Sequence, residues 1–281
     1  MSSYSDHLRA HLTAYKLERL GVTELGVWRN NSQPYGHILP ESLQKLNIVE
    51  TIRREFWKYF EANKATLSLH TDFHHLNSSQ AFAFNLFFPW MASSKAQAEF
   101  LAALGLGHRT IKHWRFEHMP DQFERTSVDY FAEFEDGGRL FIEVKLTEEH
   151  FGTAKDDESH RTKLRDTYAG RLTDKVTGDA LEPATFFLNY QLLRNVSHLD
   201  LTRQDTLLLL LPRANTFTWL QGQEFREKYL KAHCQGAVLL VTAEDLVRAL
   251  AKTPEADLKA SVRLLAEKYL PDVCLEEADG V

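Results

Sequence analysis

The order of apolar segments predicts an α/β fold, a mixed β-sheet core flanked by helices with a helical extension at the N-terminus. Three observations carry this expectation. Two strand-like runs, 128–134 and 139–146, are separated by Asp136-Gly137-Gly138, the composition of a hairpin turn. Two compact apolar runs, 207–211 and 237–241, have the length and uniform hydrophobicity of buried strands. Segments with helical spacing precede, separate and follow these runs, which is the order that builds a layered sheet-and-helix core.

Taken in order, residues 6–20 have a helical pattern, and Gly, Asn and Pro punctuation follows through Pro40. Leu46, Val49, Ile52, Phe56 and Phe60 recur at helical spacing over 43–62, with Glu41 and Ser42 placed to begin that helix. Arg53, Arg54 and Lys58 on it read as a solvated face, with a phosphate-contacting face the alternative. Asn77, as N-cap, and Gln80 stand at capping-box spacing and open a helix that Pro89 stops. Phe82, Phe84, Phe87 and Phe88 lie on several of its sides, the mark of a buried helix. A helix over 95–104 ends at Gly105, and 110–117 reads as a strand leading into the hairpin. Residues 147–183 are long, polar and mixed in charge, with one short helix near 161–169; such insertions are either functional or disordered. Residues 185–196 are helical and carry Tyr190, Gln191 and Arg194. Helices over 223–231, 244–250 and 257–270 complete the pattern. The expected organisation is an extension over 1–76, a core over 77–242 and C-terminal helices over 243–281.

Composition narrows the class. The 281 residues are 43% hydrophobic and include 18 Phe, enough for a sizeable core. Cys234 and Cys274 stand far apart in no CxxC pattern, which reads as reduced thiols and a cytoplasmic location. The polar N-terminus lacks the apolar stretch of a signal peptide, and no apolar run is long enough to span a bilayer. A formal charge of −6 argues against a protein that coats nucleic acid, although a local basic surface around an acidic site stays compatible with it. His70, His74 and His75 cluster with Asp72, but no second ligand pair follows at metal-site spacing, so a zinc site is not expected.

The hairpin concentrates the chemistry. Side chains alternate faces along a strand, so Phe141, Glu143 and Lys145 share one face while Leu140, Ile142 and Val144 make an apolar row on the other. If Glu135 pairs with Arg139 around a three-residue loop, Asp129 lies opposite Lys145 and diagonal to Glu143. A two-residue Gly137-Gly138 turn would move Asp129 to the wrong face. Two carboxylates and an ammonium at one spot suit a divalent metal and a phosphodiester.

Asp129 on the second strand of a meander and Glu143-Val144-Lys145 on the third, followed by helix and strand, resemble the PD-(D/E)XK nuclease superfamily. The stretch 77–87 is similar to that of a bacterial, restriction-endonuclease-like branch of it. The resemblance runs from about 77 to 241, with Val128 where the motif's name has proline. It implies a restriction-endonuclease-like core, hydrolysis of DNA phosphodiester bonds, and Mg²⁺ (or Mn²⁺) held by Asp129, Glu143 and the Val144 carbonyl. Lys145, kept protonated beside two carboxylates, is expected to orient the attacking water and stabilise negative charge. Family members often carry a Glu on the helix before the meander, where Gln80 and Asn85 are the polar candidates here. Gln80 is accordingly a catalytic candidate, and its capping role is the structural alternative. Gln191 and Arg194, on the helix after the meander, and Lys163 and Arg165, with Arg171, in the polar segment are candidate substrate contacts. The expected partner is DNA, with a homodimer left open and no membrane. The competing reading is a catalytically silent relative that keeps the fold and binds nucleic acid or a protein.

Overall fold

The computed structural model describes residues 3–121 and 126–275, so residues 276–281 of the expected C-terminal segment lie outside the described residues. The chain forms two compact units, 1–110 with 242–281, and 111–241. The segment 77–110, grouped with the core on sequence, packs within the first of them, because its helices meet the C-terminal helices.

The first unit begins with α1 (Tyr4–Glu18), whose Ser3 and Asp6 form a capping box, and a small hairpin of β1 (Gly26–Trp28) and β2 (Gln33–Tyr35). The single helix expected over 43–62 is a 3₁₀ turn (Glu41–Asn47) followed by α2 (Glu50–Asn63). Asn47 explains the break: its side-chain amide leaves the helix to bond the carbonyls of Phe73 and His75. α3 (Ser79–Phe87) is capped by Ser78, not Asn77: the Ser78 hydroxyl accepts the Ala81 N–H at 3.3 Å. Pro89 does not stop the chain's coiling but sits in the first turn of a 3₁₀ segment (Phe88–Ala92), where its missing N–H costs nothing. α4 (Ser94–Ala103) is followed by Gly105 at φ +75°.

The second unit carries the sheet. β3 (Ile111–Asp121), β4 (Thr126–Phe134) and β5 (Arg139–Val144) form an antiparallel meander. The crossover that follows is ordered rather than loose. α5 (Glu158–Lys163) runs through a π turn (Leu164–Tyr168) into α6 (Ala169–Leu172), then come α7 (Gly178–Leu181), α8 (Pro183–Leu188) and α9 (Tyr190–Ser197). The helix expected over 185–196 is therefore two, broken at Asn189 (φ −110°, ψ 27°). β6 (Thr206–Leu211) returns parallel to β5, and α10 (Thr216–Glu224), α11 (Ala232–Gln235) and β7 (Val238–Thr242) follow. Strand order is β3-β4-β5-β6-β7, a five-stranded mixed sheet. The chain then re-enters the first unit as α12 (Ala243–Leu250) and α13 (Ala256–Tyr269), which pack on α4 and α3 respectively.

Both rows of β5 are buried, from Leu140 through Lys145. Phe131, Phe141, Leu207, Leu209 and Leu211 pack with Leu164, Tyr168, Leu172, Leu192, Leu193 and Val196 of the crossover helices. The row that carries Glu143 and Lys145 is thus the one roofed by helices, and these residues sit where β5 ends, the customary position of a site in a parallel pair.

Candidate active site

The hairpin register is two residues away from the one expected. Glu133, not Glu135, pairs with Arg139, and Phe131 pairs with Phe141. The loop is Glu135-Asp136-Gly137, with the Gly137 N–H donating to the Phe134 carbonyl and Gly137 at φ +87°. A shift of two keeps parity, so the faces survive. Continued one step beyond Tyr130↔Ile142, the register sets Asp129 across from Glu143 itself.

Asp129 sits where the β4–β5 ladder ends. In a regular ladder the Val144 N–H would bond the backbone across from it; here it donates to Asp129 Oδ2 at 2.7 Å. The other Asp129 oxygen accepts no hydrogen bond among the described residues. In a strand a residue's N–H and C=O face the same neighbour, so the Val144 carbonyl projects to this side as well.

Glu143 is 4% exposed and heavily solvated by protein. Its Oε1 accepts from Lys145 Nζ at 3.0 Å and from Gln191 Nε2 at 2.6 Å, and its Oε2 accepts from Asn195 Nδ2 at 3.0 Å. Lys145 is 9% exposed, and its ammonium lies 5.9 Å from the Phe151 ring centroid. Burial pulls the lysine's pKa down, but Glu143, Glu148 and Asp129 outweigh it and hold the value above the ordinary one. The ammonium stays charged at neutral pH. Burial, Glu143 and Glu117 together push the Asp129 carboxyl well above its usual range, against the smaller opposing pull of Lys145 and the Val144 N–H.

Two contributors were not singled out on sequence. Glu117 is one: Phe116↔Tyr130 and His118↔Val128 pair on either side of it, which sets it opposite Asp129. It is 9% exposed, sits at φ +49°, and accepts from the Ser127 hydroxyl at 2.7 Å. Its only sequence signal was a lone carboxylate in a strand of mixed aromatic and basic residues, and the strand was expected to end there. Asn195 is the other, four residues beyond Gln191 and therefore on the same helix face.

The remaining candidates are placed as follows. Gln191 reaches Glu143 directly, whereas Arg194 reaches Asn195 Oδ1 at 3.3 Å. Gln80 belongs to the first unit, where its amide bonds the Ser68 carbonyl and the His70 N–H. Arg165 is exposed and paired with its neighbour Asp166, and Arg171 pairs with Asp121. Lys163 is half-buried on α5. In the histidine-rich loop, the His74 and His75 rings lie 4.6 Å apart and His75 is edge-on to Trp28.

The donor set suits a hard divalent cation. It offers Asp129 oxygen, one open position on Glu143 Oε2 and a main-chain carbonyl, all oxygen, and the crowding of Asp129 by two carboxylates is what a cation relieves. Among the described residues no three His, Cys, Asp or Glu side chains are arranged to hold an ion between them. Main chain and water would supply the rest, a pattern Mg²⁺ tolerates and structural zinc does not.

A meander, a helical crossover, a parallel fourth strand and an acidic pair with lysine at the end of β5 define a restriction-endonuclease-like fold. The family model "restriction endonuclease associating with ARP" matches residues 9–270, and the chain belongs to that family. Comparison with curated proteins and with solved structures finds no match. No helix among the described residues is long and apolar enough to cross a membrane.

Proposed function

We propose that the protein is a metal-dependent nuclease that hydrolyses DNA phosphodiester bonds at Asp129, Glu143 and Lys145. The observation that carries this reading is the meeting of the two carboxylates across the β4–β5 pair, with the charged Lys145 bonded to one of them. Membership in a restriction endonuclease family supports the activity class.

In this reading Asp129, Glu143 and the Val144 carbonyl hold Mg²⁺. When bound, the cation would neutralise phosphate charge and lower the pKa of water, so that hydroxide becomes available as nucleophile with its proton passed to solvent. Lys145 spends one N–H on Glu143 and has two left to orient the water and a non-bridging phosphate oxygen. Being charged, it acts as a donor and not as a proton acceptor. Gln191 orients Glu143 from α9. Lys163 and Arg165 lie on the polar crossover as outer phosphate contacts, with Arg165 first released from Asp166.

One observation favours a second reading. Lys145, Gln191 and Asn195 already take up most of the lone-pair positions of Glu143, which also suits a silent nuclease fold acting through a protein partner, and the family description names an association. Calorimetric titration of Mg²⁺ and Mn²⁺ into wild type and Asp129→Ala separates the two. Binding by wild type that disappears in Asp129→Ala is expected; no binding by wild type would favour the silent fold.

A further inference from the structure

Glutamine and asparagine amides look alike from either end, so what they present to a neighbour depends on what fixes them from behind. Both amides on α9 are fixed by a group that can only donate. The Arg194 guanidinium points at Asn195 Oδ1, which leaves Asn195 Nδ2 to face Glu143 Oε2. The Gly152 N–H donates to Gln191 Oε1 at 3.0 Å, which leaves Gln191 Nε2 to face Glu143 Oε1. The Gln191 N–H donates back to the Gly152 carbonyl at 3.0 Å, closing a two-bond clasp between the loop after β5 and the start of α9. Asn195 is 1% exposed, so water does not compete for its amide.

Gly152 is needed for closeness. A Cβ there would stand 3.2 Å from Gln191 Oε1 and 3.6 Å from Gln191 Cβ, tighter than ordinary contact on the oxygen that holds the amide in place. A carboxylate has about four lone-pair positions. Lys145 and Gln191 occupy those of Oε1 and Asn195 one of Oε2, so a single position is left open.

We infer that Asn195 and Gly152 are positioning residues that fix the Glu143 carboxylate, Asn195 directly and Gly152 through Gln191, and so decide which lone pair meets the cation. The inference rests on the reading of Glu143 as a metal ligand. Partners of ligating groups govern affinity because they hold the ligand's orientation.

The test is Mn²⁺ titration followed by electron paramagnetic resonance, on wild type, Asn195→Ala, Gly152→Ala and Glu149→Ala. Glu149 lies exposed in the same loop and serves as control. Each variant is melted in chelator to establish that it folds. Gly152→Ala deletes no hydrogen-bonding group and carries the test if Asn195→Ala does not fold. Expected are Mn²⁺ affinities about 10- to 100-fold weaker in Asn195→Ala and Gly152→Ala, with Glu149→Ala unchanged. In DNA cleavage the loss should fall on kcat with KM held. Folded variants that bind Mn²⁺ as tightly as wild type would overturn the inference and leave the site reading standing. A wild type that binds no Mn²⁺ would sink the site reading itself.

Discussion

Asp129 faces a carboxylate on each neighbouring strand, Glu117 on β3 and Glu143 on β5, and the consequence is energetic. Burial first, then those two charges, raise its pKa in the folded chain above its unfolded value. A carboxyl raised on folding binds its proton more tightly in the folded state. Whenever it is ionised with no cation it therefore opposes folding, and the opposition fades as pH falls from the raised value towards the unfolded one. Asn at this position keeps an acceptor for the Val144 N–H and removes the charge. Asp129→Asn should accordingly melt at a higher temperature than wild type in chelator while losing DNA cleavage, a trade of stability against function. A lower melting temperature would mean that the carboxylates do not strain one another. The shared face of Glu143 and Lys145 was legible in the sequence because strand alternation links them whatever the register, whereas the side taken by Asp129 hung on the parity of the hairpin loop. Asn195 was not legible, since a neutral amide in an apolar helix looks the same whether it faces a carboxylate or a carbonyl.

At the scale of elements, β5 and β6 are tied at the end away from the site. Asp205, 1% exposed, accepts the Arg139 N–H at 2.9 Å, the Arg139 guanidinium at 2.5 and 3.0 Å, and the Asp200 N–H at 2.7 Å. The tie sits one residue from the first parallel pair, Leu140↔Thr206, and so helps fix the register that puts Glu143 beside Leu209. Asp205→Ala leaves a partly buried guanidinium with only the His198 carbonyl and strands two backbone donors, and urea unfolding should show a loss of about 3 kcal/mol. A change below about 0.5 kcal/mol would remove this pair from the account of sheet register. The sequence was informative about which elements exist and less so about their joints. The Gly137-Gly138 pair allows several hairpin loops, and the chain uses the one with Gly137 alone at positive φ. The Asn189 break between α8 and α9 and the three-residue strands β1 and β2 were too short for periodicity to reveal.

Across the whole molecule, four buried or half-buried histidines have pKa values depressed well below neutral. Burial is the leading cause in each case, lowering His37, His75, His118 and His198 from 6.5 to about 4. They are spread over both units: His37 and His75 lie in the first, and His118, stacked on Phe131 with centroids 4.0 Å apart, and His198 in the second. The unfolded chain takes up protons near pH 6.5 that the folded chain refuses until about 4, so their contribution to stability is full above that window and is lost as pH falls through it. Asp129 works in the opposite direction but is a single group. Melting temperature should fall steadily between pH 6.5 and 4, and a flat profile would mean that these rings are open to water. The formal charge of −6 gives no overall basic footprint, so the proposed reading asks the local site to carry the contacts with DNA. The decisive measurement is cleavage of single- and double-stranded DNA, linear and circular, by wild type and Lys145→Ala with Mg²⁺. Cleavage by wild type that falls by about 100-fold or more in Lys145→Ala, with the variant still folded, is the expected result. Cleavage that persists undiminished in Lys145→Ala, or is absent from wild type on every substrate with bound Mg²⁺, would contradict catalysis at Asp129, Glu143 and Lys145.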